Sequence, residues 1–96
     1  MATYTISGLD KSEKPIANNL LKNMLEKLER KTNLSDIKMH FKKYSETGNR
    51  QKYVAKITIV SNNKKSNVGV IEWSLFDVFY RAYGVIERIL VDKNKN

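Results

Sequence analysis

The chain has 96 residues, 41% of them hydrophobic, and a formal net charge of +8 at pH 7. That length makes one small domain with a modest core, and that hydrophobic content is too high for a disordered chain. The absence of cysteine excludes disulfides and thiolate metal sites, and no apolar run approaches the roughly 20 residues needed to span a bilayer.

Residues Thr3, Thr5 and Ser7 alternate with Tyr4 and Ile6, which predicts a short half-buried strand ended by Gly8. A polar connection follows, with Ser12 as candidate N-cap and the single proline, Pro15, in the first turn of a helix. Ile16, Leu20, Leu21, Met24, Leu25 and Leu28 recur at spacings of three and four, an amphipathic helix of about 16 residues. Its outer face carries Lys22, Lys27, Arg30 and Lys31 interspersed with Glu26 and Glu29.

From Asp36 the period becomes two. Ile37, Met39 and Phe41 face one way, and Lys38, His40 and Lys42 the other. Residues 45–49 read as a Gly-containing loop, and a second alternating run places Tyr53, Ala55, Ile57 and Ile59 on one side. Together they predict an antiparallel hairpin. Residues 61–67 read as a second polar turn, and residues 68–73 as a fourth strand whose core face the pattern leaves open. Ser74 caps a second helix with Asp77 at the capping-box position. Leu75, Val78, Phe79, Ala82, Ile86, Ile89 and Leu90 form its apolar stripe.

The order β-α-β-β-β-α predicts an α+β fold: a two-layer sandwich with a mostly antiparallel four-stranded sheet and two helices on one face. Residues 1–92 form a single domain and residues 93–96 a polar tail. The N-terminus lacks a charged segment followed by an apolar run, so no signal peptide is expected and the protein reads as soluble and cytoplasmic.

The charge is concentrated. Residues 36–66 hold eight Lys/Arg (Lys38, Lys42, Lys43, Arg50, Lys52, Lys56, Lys64, Lys65) against Asp36 and Glu46, and so carry six of the eight net positive charges. A field this directed suits a polyanion, for which nucleic acid and an anionic membrane surface compete; nucleic acid is taken as the partner and no membrane is expected. With the apolar sets turned to the helices, Lys38, His40, Lys42, Lys52 and Lys56 share the outer sheet face. The reading is a phosphate-binding surface for RNA, on which Tyr44 and Tyr53 stack on bases or ribose. The competing reading is a solvated face on which lysines protect a sticky sheet. Lys22, Lys27, Arg30 and Lys31 on helix 1, and Arg81 and Arg88 on helix 2, are additional RNA contacts or simple partners of nearby acids, with Asp77 and Glu87 near enough to pair with the two arginines.

No catalytic site is expected. His40, the one histidine, is a thinkable acid or base for toxin-like RNA cleavage, but no second acid/base group is identifiable beside it. One His without Cys or clustered carboxylates makes no metal site, and no motif implies a cofactor. Trp73, Phe76, Phe79, Tyr80 and Tyr83 read first as core, with Tyr80 and Tyr83 partly exposed, second as a homodimer or scaffold contact, and third as groups that stack on bases.

The β-α-β-β-β-α order resembles the ribosome hibernation promoting factor / ribosome-associated inhibitor family. Tyr4-Thr5-Ile6-Ser7-Gly8 resembles its first strand, Leu25-Glu26-Lys27-Leu28-Glu29-Arg30 its helix 1 ending, and Asp77-Val78-Phe79-Tyr80-Arg81-Ala82 its entry into helix 2. The hairpin, with His40, Lys42, Lys43, Tyr44, Gly48, Arg50, Lys52 and Tyr53, followed by Trp73 and Leu75, is more similar to a short archaeal branch of uncharacterised relatives. Tyr83 and Gly84 depart from the bacterial pattern. The resemblance implies a fold like double-stranded RNA-binding domains and, as partner, rRNA of the small ribosomal subunit, with translation blocked in stress or dormancy. Without the resemblance, the partner is any structured RNA.

Overall fold

Strand and helix periodicities are realised in the order the sequence predicts: β1 (Thr3–Ser7), α1 (Lys14–Glu29), β2 (Asp36–Glu46), β3 (Arg50–Ser61), β4 (Lys64–Glu72) and α2 (Leu75–Asn94). The structure, a computed structural model, describes residues 2–46, 48 and 50–94, without the side chains at 46, 50 and 91–94. Thr47 and Asn49 of the predicted loop, and Lys95 and Asn96 of the predicted tail, lie outside the described residues. The strands lie in the order β1-β2-β3-β4, with β1 parallel to β2 and both remaining pairs antiparallel.

One face of the sheet meets both helices. Ile37, Met39 and Phe41 of β2, Ala55, Ile57 and Ile59 of β3, and Val70 of β4 are buried there. They pack with Leu21, Met24, Leu25 and Leu28 of α1 and Val78, Phe79, Ala82 and Ile86 of α2. Phe41 and Phe79 join sheet to helix with ring centroids 6.0 Å apart. Each large side chain buried this way contributes roughly 1.5–3 kcal/mol.

Helix α1 begins at Lys14, with Glu13 at its N-cap and no side-chain cap bond, so Ser12 falls in the preceding turn and does not cap. Ile16 is exposed and Ala17 takes its place in the buried stripe. Ser74 caps α2 as expected, its hydroxyl accepting from the Asp77 N–H at 3.2 Å. The helical backbone of α2 continues through Asn94, past the predicted start of the polar tail.

Two connections set the register. Gly8, at φ 90°, passes so close to β2 that a Cβ there would stand 2.0 Å from the Phe41 carbonyl oxygen. Only glycine tolerates both that backbone conformation and that approach. The second predicted turn is shorter than residues 61–67: Asn62 and Asn63, at φ 53° and 63°, close it alone. Asparagine accepts left-handed φ, and two such residues match the twist of a tight hairpin. Lys64 and Lys65 therefore belong to β4 rather than to a turn.

Candidate nucleic-acid interface

The tight Asn62-Asn63 turn fixes which β4 residues face the helices. Val68 and Val70 oppose Ile57 and Ala55 on the inner side, so Gly69 and Ile71 oppose Lys56 and Val54 on the outer side. Trp73 continues the outer series, and the Lys52 ammonium lies 5.8 Å from its ring centroid.

The outer face reads as rows across the strands. Thr5, Lys38, Thr58 and Asn67 form one row, and Ser7, His40, Lys56 and Gly69 the next. Beyond the end of β1, Lys42 lies beside Val54 and Ile71, and Tyr44 beside Lys52. Lys65 opposes Val60 at the far end. Lys38, His40, Lys42, Lys56 and Lys65 are exposed, as is Tyr44, while Lys52 is half-buried. Among the described residues, Asp36 is the one carboxylate on this face, and the Thr3 hydroxyl donates to it at 2.7 Å.

The register limits repulsion within the cation set. Lys38 opposes Thr58 and Lys42 opposes Val54, so the only directly opposed basic pair is His40 with Lys56. Like charges that are diagonal neighbours repel less than charges directly opposite. Hydroxyl and amide groups lie between the cations. Ser7 Oγ is 2.8 Å from His40 Nδ1, and Thr58 Oγ1 is 3.0 Å from the Asn67 side-chain oxygen.

Two residues predicted for this surface belong to the other one. Lys43 and Tyr53 are paired across the hairpin on the inner parity. Tyr53 is buried, and its hydroxyl donates to Glu13 at 2.6 Å. Lys43 donates to Asp10 and, at 2.9 Å, to Glu13, with its side chain only 20% exposed. A buried ring stacks on no base, and an ammonium held by two carboxylates presents no net positive charge to a phosphate. The two carboxylates, Asp10 foremost, hold the Lys43 ammonium well above the ordinary lysine range. Burial alone would raise the Glu13 carboxyl, but hydrogen bonds from Tyr53 and Lys43 outweigh it and leave Glu13 below its usual value. Burial and the Glu13 charge push the Tyr53 hydroxyl up to about 12. This cluster ties the β1–α1 connection to the hairpin.

The remaining predicted residues are dispersed. Lys64 is exposed beside the Asn62-Asn63 turn, at the position paired with Ser61. Arg50 opens β3, and its side chain lies outside those described. Lys22, Lys27 and Arg30 are exposed on or next to α1, a layer away from the outer sheet face. Lys31 binds Glu87, donates to the Tyr83 hydroxyl at 3.1 Å, and joins Lys27 near the Tyr83 ring. Its partners raise the lysine and lower the glutamate. Arg81 pairs with Glu72 at 2.7 Å, not with Asp77 or Glu87, because α2 packs against β4. Arg88 is exposed on α2.

The aromatics also part from expectation. Phe79 is core and Tyr83 half-buried, but Trp73 is 46% exposed and Phe76 66%. Trp73 follows the outer parity of Gly69 and Ile71, while Val70 before it and Leu75 after it are buried. A two-residue Asn-Asn turn, counted forward, is the sequence signal that would have placed Trp73 and Ile71 outside.

Neither a family model nor a curated protein sequence matches the chain. Solved structures do. The N-terminal domain of Thermus thermophilus Protein Y superposes with a TM-score of 0.74 at 16% identity, covering 96% of this chain and 98% of that one. A ribosomal subunit interface protein from Coxiella burnetii superposes with a TM-score of 0.76 at 11% identity, covering 98% and 99%. The fold is theirs. It is also the fold that the sequence resemblance implied, and these two chains share it over nearly their whole length.

Proposed function

We propose that this protein binds structured RNA non-catalytically through the outer face of its sheet, and that the RNA is rRNA of the small ribosomal subunit. In this role it acts in the cytoplasm as a hibernation factor that restrains translation. One observation carries the reading: Lys38, His40, Lys42, Lys52, Lys56 and Lys65 share one face on which the sole described carboxylate is already bonded by Thr3. Such a face gains affinity by releasing counterions from phosphates. The shared fold with a protein named for the ribosomal subunit interface supports the choice of partner.

Co-sedimentation with purified small subunits tests it. The protein travels with them at low salt and is released steeply as salt rises; failure to pellet at low salt contradicts the reading. His40 supports binding rather than cleavage, since its row neighbours are Ser7, Lys56 and Gly69, with no carboxylate among them. RNA stays intact on incubation with the protein; cleavage lost in His40→Ala would favour the toxin-like alternative.

A second reading rests on α2. Phe76 and Tyr80, four residues apart, are 66% and 85% exposed, and they border a groove of about 350 Å³ lined also by Leu20 and Met24. Self-association through this groove makes a homodimer. It leaves the outer sheet face open, so it is compatible with RNA binding. A dimer mass by light scattering, lost in Phe76→Ser, is its expected signature.

A further inference from the structure

The outer face is not uniform along the strands. Its β1 end is hydroxyl-rich and cationic, with Thr3, Thr5, Ser7, Thr58 and Asn67 among the lysines. Past Ser7, where β1 stops, the character changes. Lys42 there shares a row with Val54 and Ile71, and Tyr44 lies beside Lys52, whose ammonium is near the Trp73 ring. Tyr44 is 49% exposed, Ile71 57% and Trp73 46%.

A face that met only phosphates would gain nothing from those three side chains. Duplex RNA hides the faces of its bases within its own stack, so its backbone offers Tyr44, Ile71 and Trp73 no partner. Nucleotides outside a helix expose their bases, and every base has a π-face that an aromatic ring accepts regardless of sequence. Tyr44 on β2 and Trp73 just past the end of β4 lie on either side of β3, and two strand spacings of about 4.8 Å leave room for a nucleotide at each.

From this we infer that the Tyr44–Lys52–Trp73 end of the sheet binds two neighbouring nucleotides of single-stranded RNA by stacking. The inference rests on the RNA-binding reading and names which RNA that face selects. Lys52 lies between the rings, 5.8 Å from the Trp73 centroid. A base arriving on the indole takes the place of that cation–π contact, within reach of the Lys52 ammonium. Lys42, next along β2, meets a backbone phosphate. The cationic rows toward β1 then track backbone, paired or not.

Charge density argues the opposite preference, which makes the inference testable. Per phosphate, counterion release favours duplex over single strand. A single strand that binds more tightly than a duplex therefore reports contacts to bases. Trp73 is the only tryptophan of the chain, so its fluorescence reads the site directly.

The experiment titrates the full chain with a 12-nucleotide single-stranded RNA and with a 12-base-pair duplex, at one fixed low salt. The single strand is expected to quench Trp73 and to bind at least about fivefold more tightly than the duplex. Tyr44→Ala and Trp73→Ala, followed by anisotropy of labelled RNA, are each expected to weaken the single strand about tenfold and leave the duplex unchanged, the size expected of one stacked base. Trp73→Phe keeps most of the affinity. Circular dichroism of each variant reports that the fold is kept. Equal affinities with no quenching, or alanine variants that bind the single strand normally, overturn the inference. If the duplex still binds in a lysine-dependent way, the polyanion reading survives that failure. If neither RNA binds at low salt, both fall.

Discussion

Lys42 and Lys43 are adjacent in sequence and opposite in fate. Lys42 is exposed on the outer face, beside Val54 and Ile71, where its charge is available to a ligand. Lys43 points inward, where Asp10 and Glu13 neutralise it and Tyr53 closes the cluster. The comparison extends to the whole hairpin. Its outer parity carries a run of basic residues, Lys38, His40 and Lys42 on β2 with Lys52 and Lys56 on β3, and its inner parity ends in a charge network that fastens the β1–α1 connection. A basic run in a sequence is thus two surfaces once it becomes a strand, and only one of them carries net charge outward.

The largest expected effect tests that division from the outer side. Changing Lys38, Lys42, Lys52 and Lys56 together to Glu lowers RNA affinity by on the order of a hundredfold or more. The melting temperature changes little, because none of the four supports the core. A calorimetric melt and an anisotropy titration separate the two quantities. Loss of folding in this variant would mean that the outer cations are structural after all.

Gly8→Ala acts from the inner side and should cost about 3 kcal/mol or more of stability, since a Cβ at φ 90° would overlap the Phe41 carbonyl. Denaturant unfolding measures it. A midpoint unchanged from the parent would show that the connection relaxes away from β2 without loss.

Lys43→Met is milder. It leaves two carboxylates without their shared cation and is expected to cost about 1–3 kcal/mol. RNA affinity stays within about twofold of the parent, as expected where no phosphate contact is lost. A large drop in affinity with unchanged stability would return Lys43 to the binding surface.

The smallest effect is the pH dependence of stability. Glu13 has a folded pKa below its ordinary value of 4.5, so its contribution is present above that pH and is lost as pH falls through the lower folded value. Tyr53 is shifted the other way, from 10.0 to about 12, so its contribution is complete below pH 10 and fades as pH rises toward 12. Glu13→Gln flattens the acid limb and Tyr53→Phe the alkaline one, in urea midpoints followed across pH. Limbs that keep their slopes in these variants would place the titrating groups elsewhere.

Much of this was legible in the sequence, for reasons that local periodicity explains. Ile37, Met39 and Phe41 could only alternate with Lys38, His40 and Lys42, so the outer cations of β2 follow directly. So do the buried residues of β3, and the stripe of α2. What was not legible depended on partners distant in sequence or on a turn length. Periodicity alone puts Tyr53 with Ala55 and Ile57, and Lys43 with Phe41, on the inward side, so neither fits a stacking or phosphate contact; what it could not show is Glu13, 30 residues before Lys43, which binds both there. The parity of β4 stayed open because both its faces carry apolar residues, Val68 and Val70 on one and Ile71 and Trp73 on the other. The two-residue turn at Asn62-Asn63 decides between them, and with it whether an aromatic end exists on the outer face at all.

On the reading proposed above, RNA lies against the outer sheet face and not against the helices. The most direct test is the slope of log affinity against log salt, compared between the parent and a variant with Lys38, Lys42, Lys52 and Lys56 changed to Gln. Each lost phosphate contact reduces the slope by about 0.7–0.9, so the expected slope is shallower by roughly 3 in the variant. A slope equal to the parent's would show that the counterions are released elsewhere, and would move the interface to another face of the molecule.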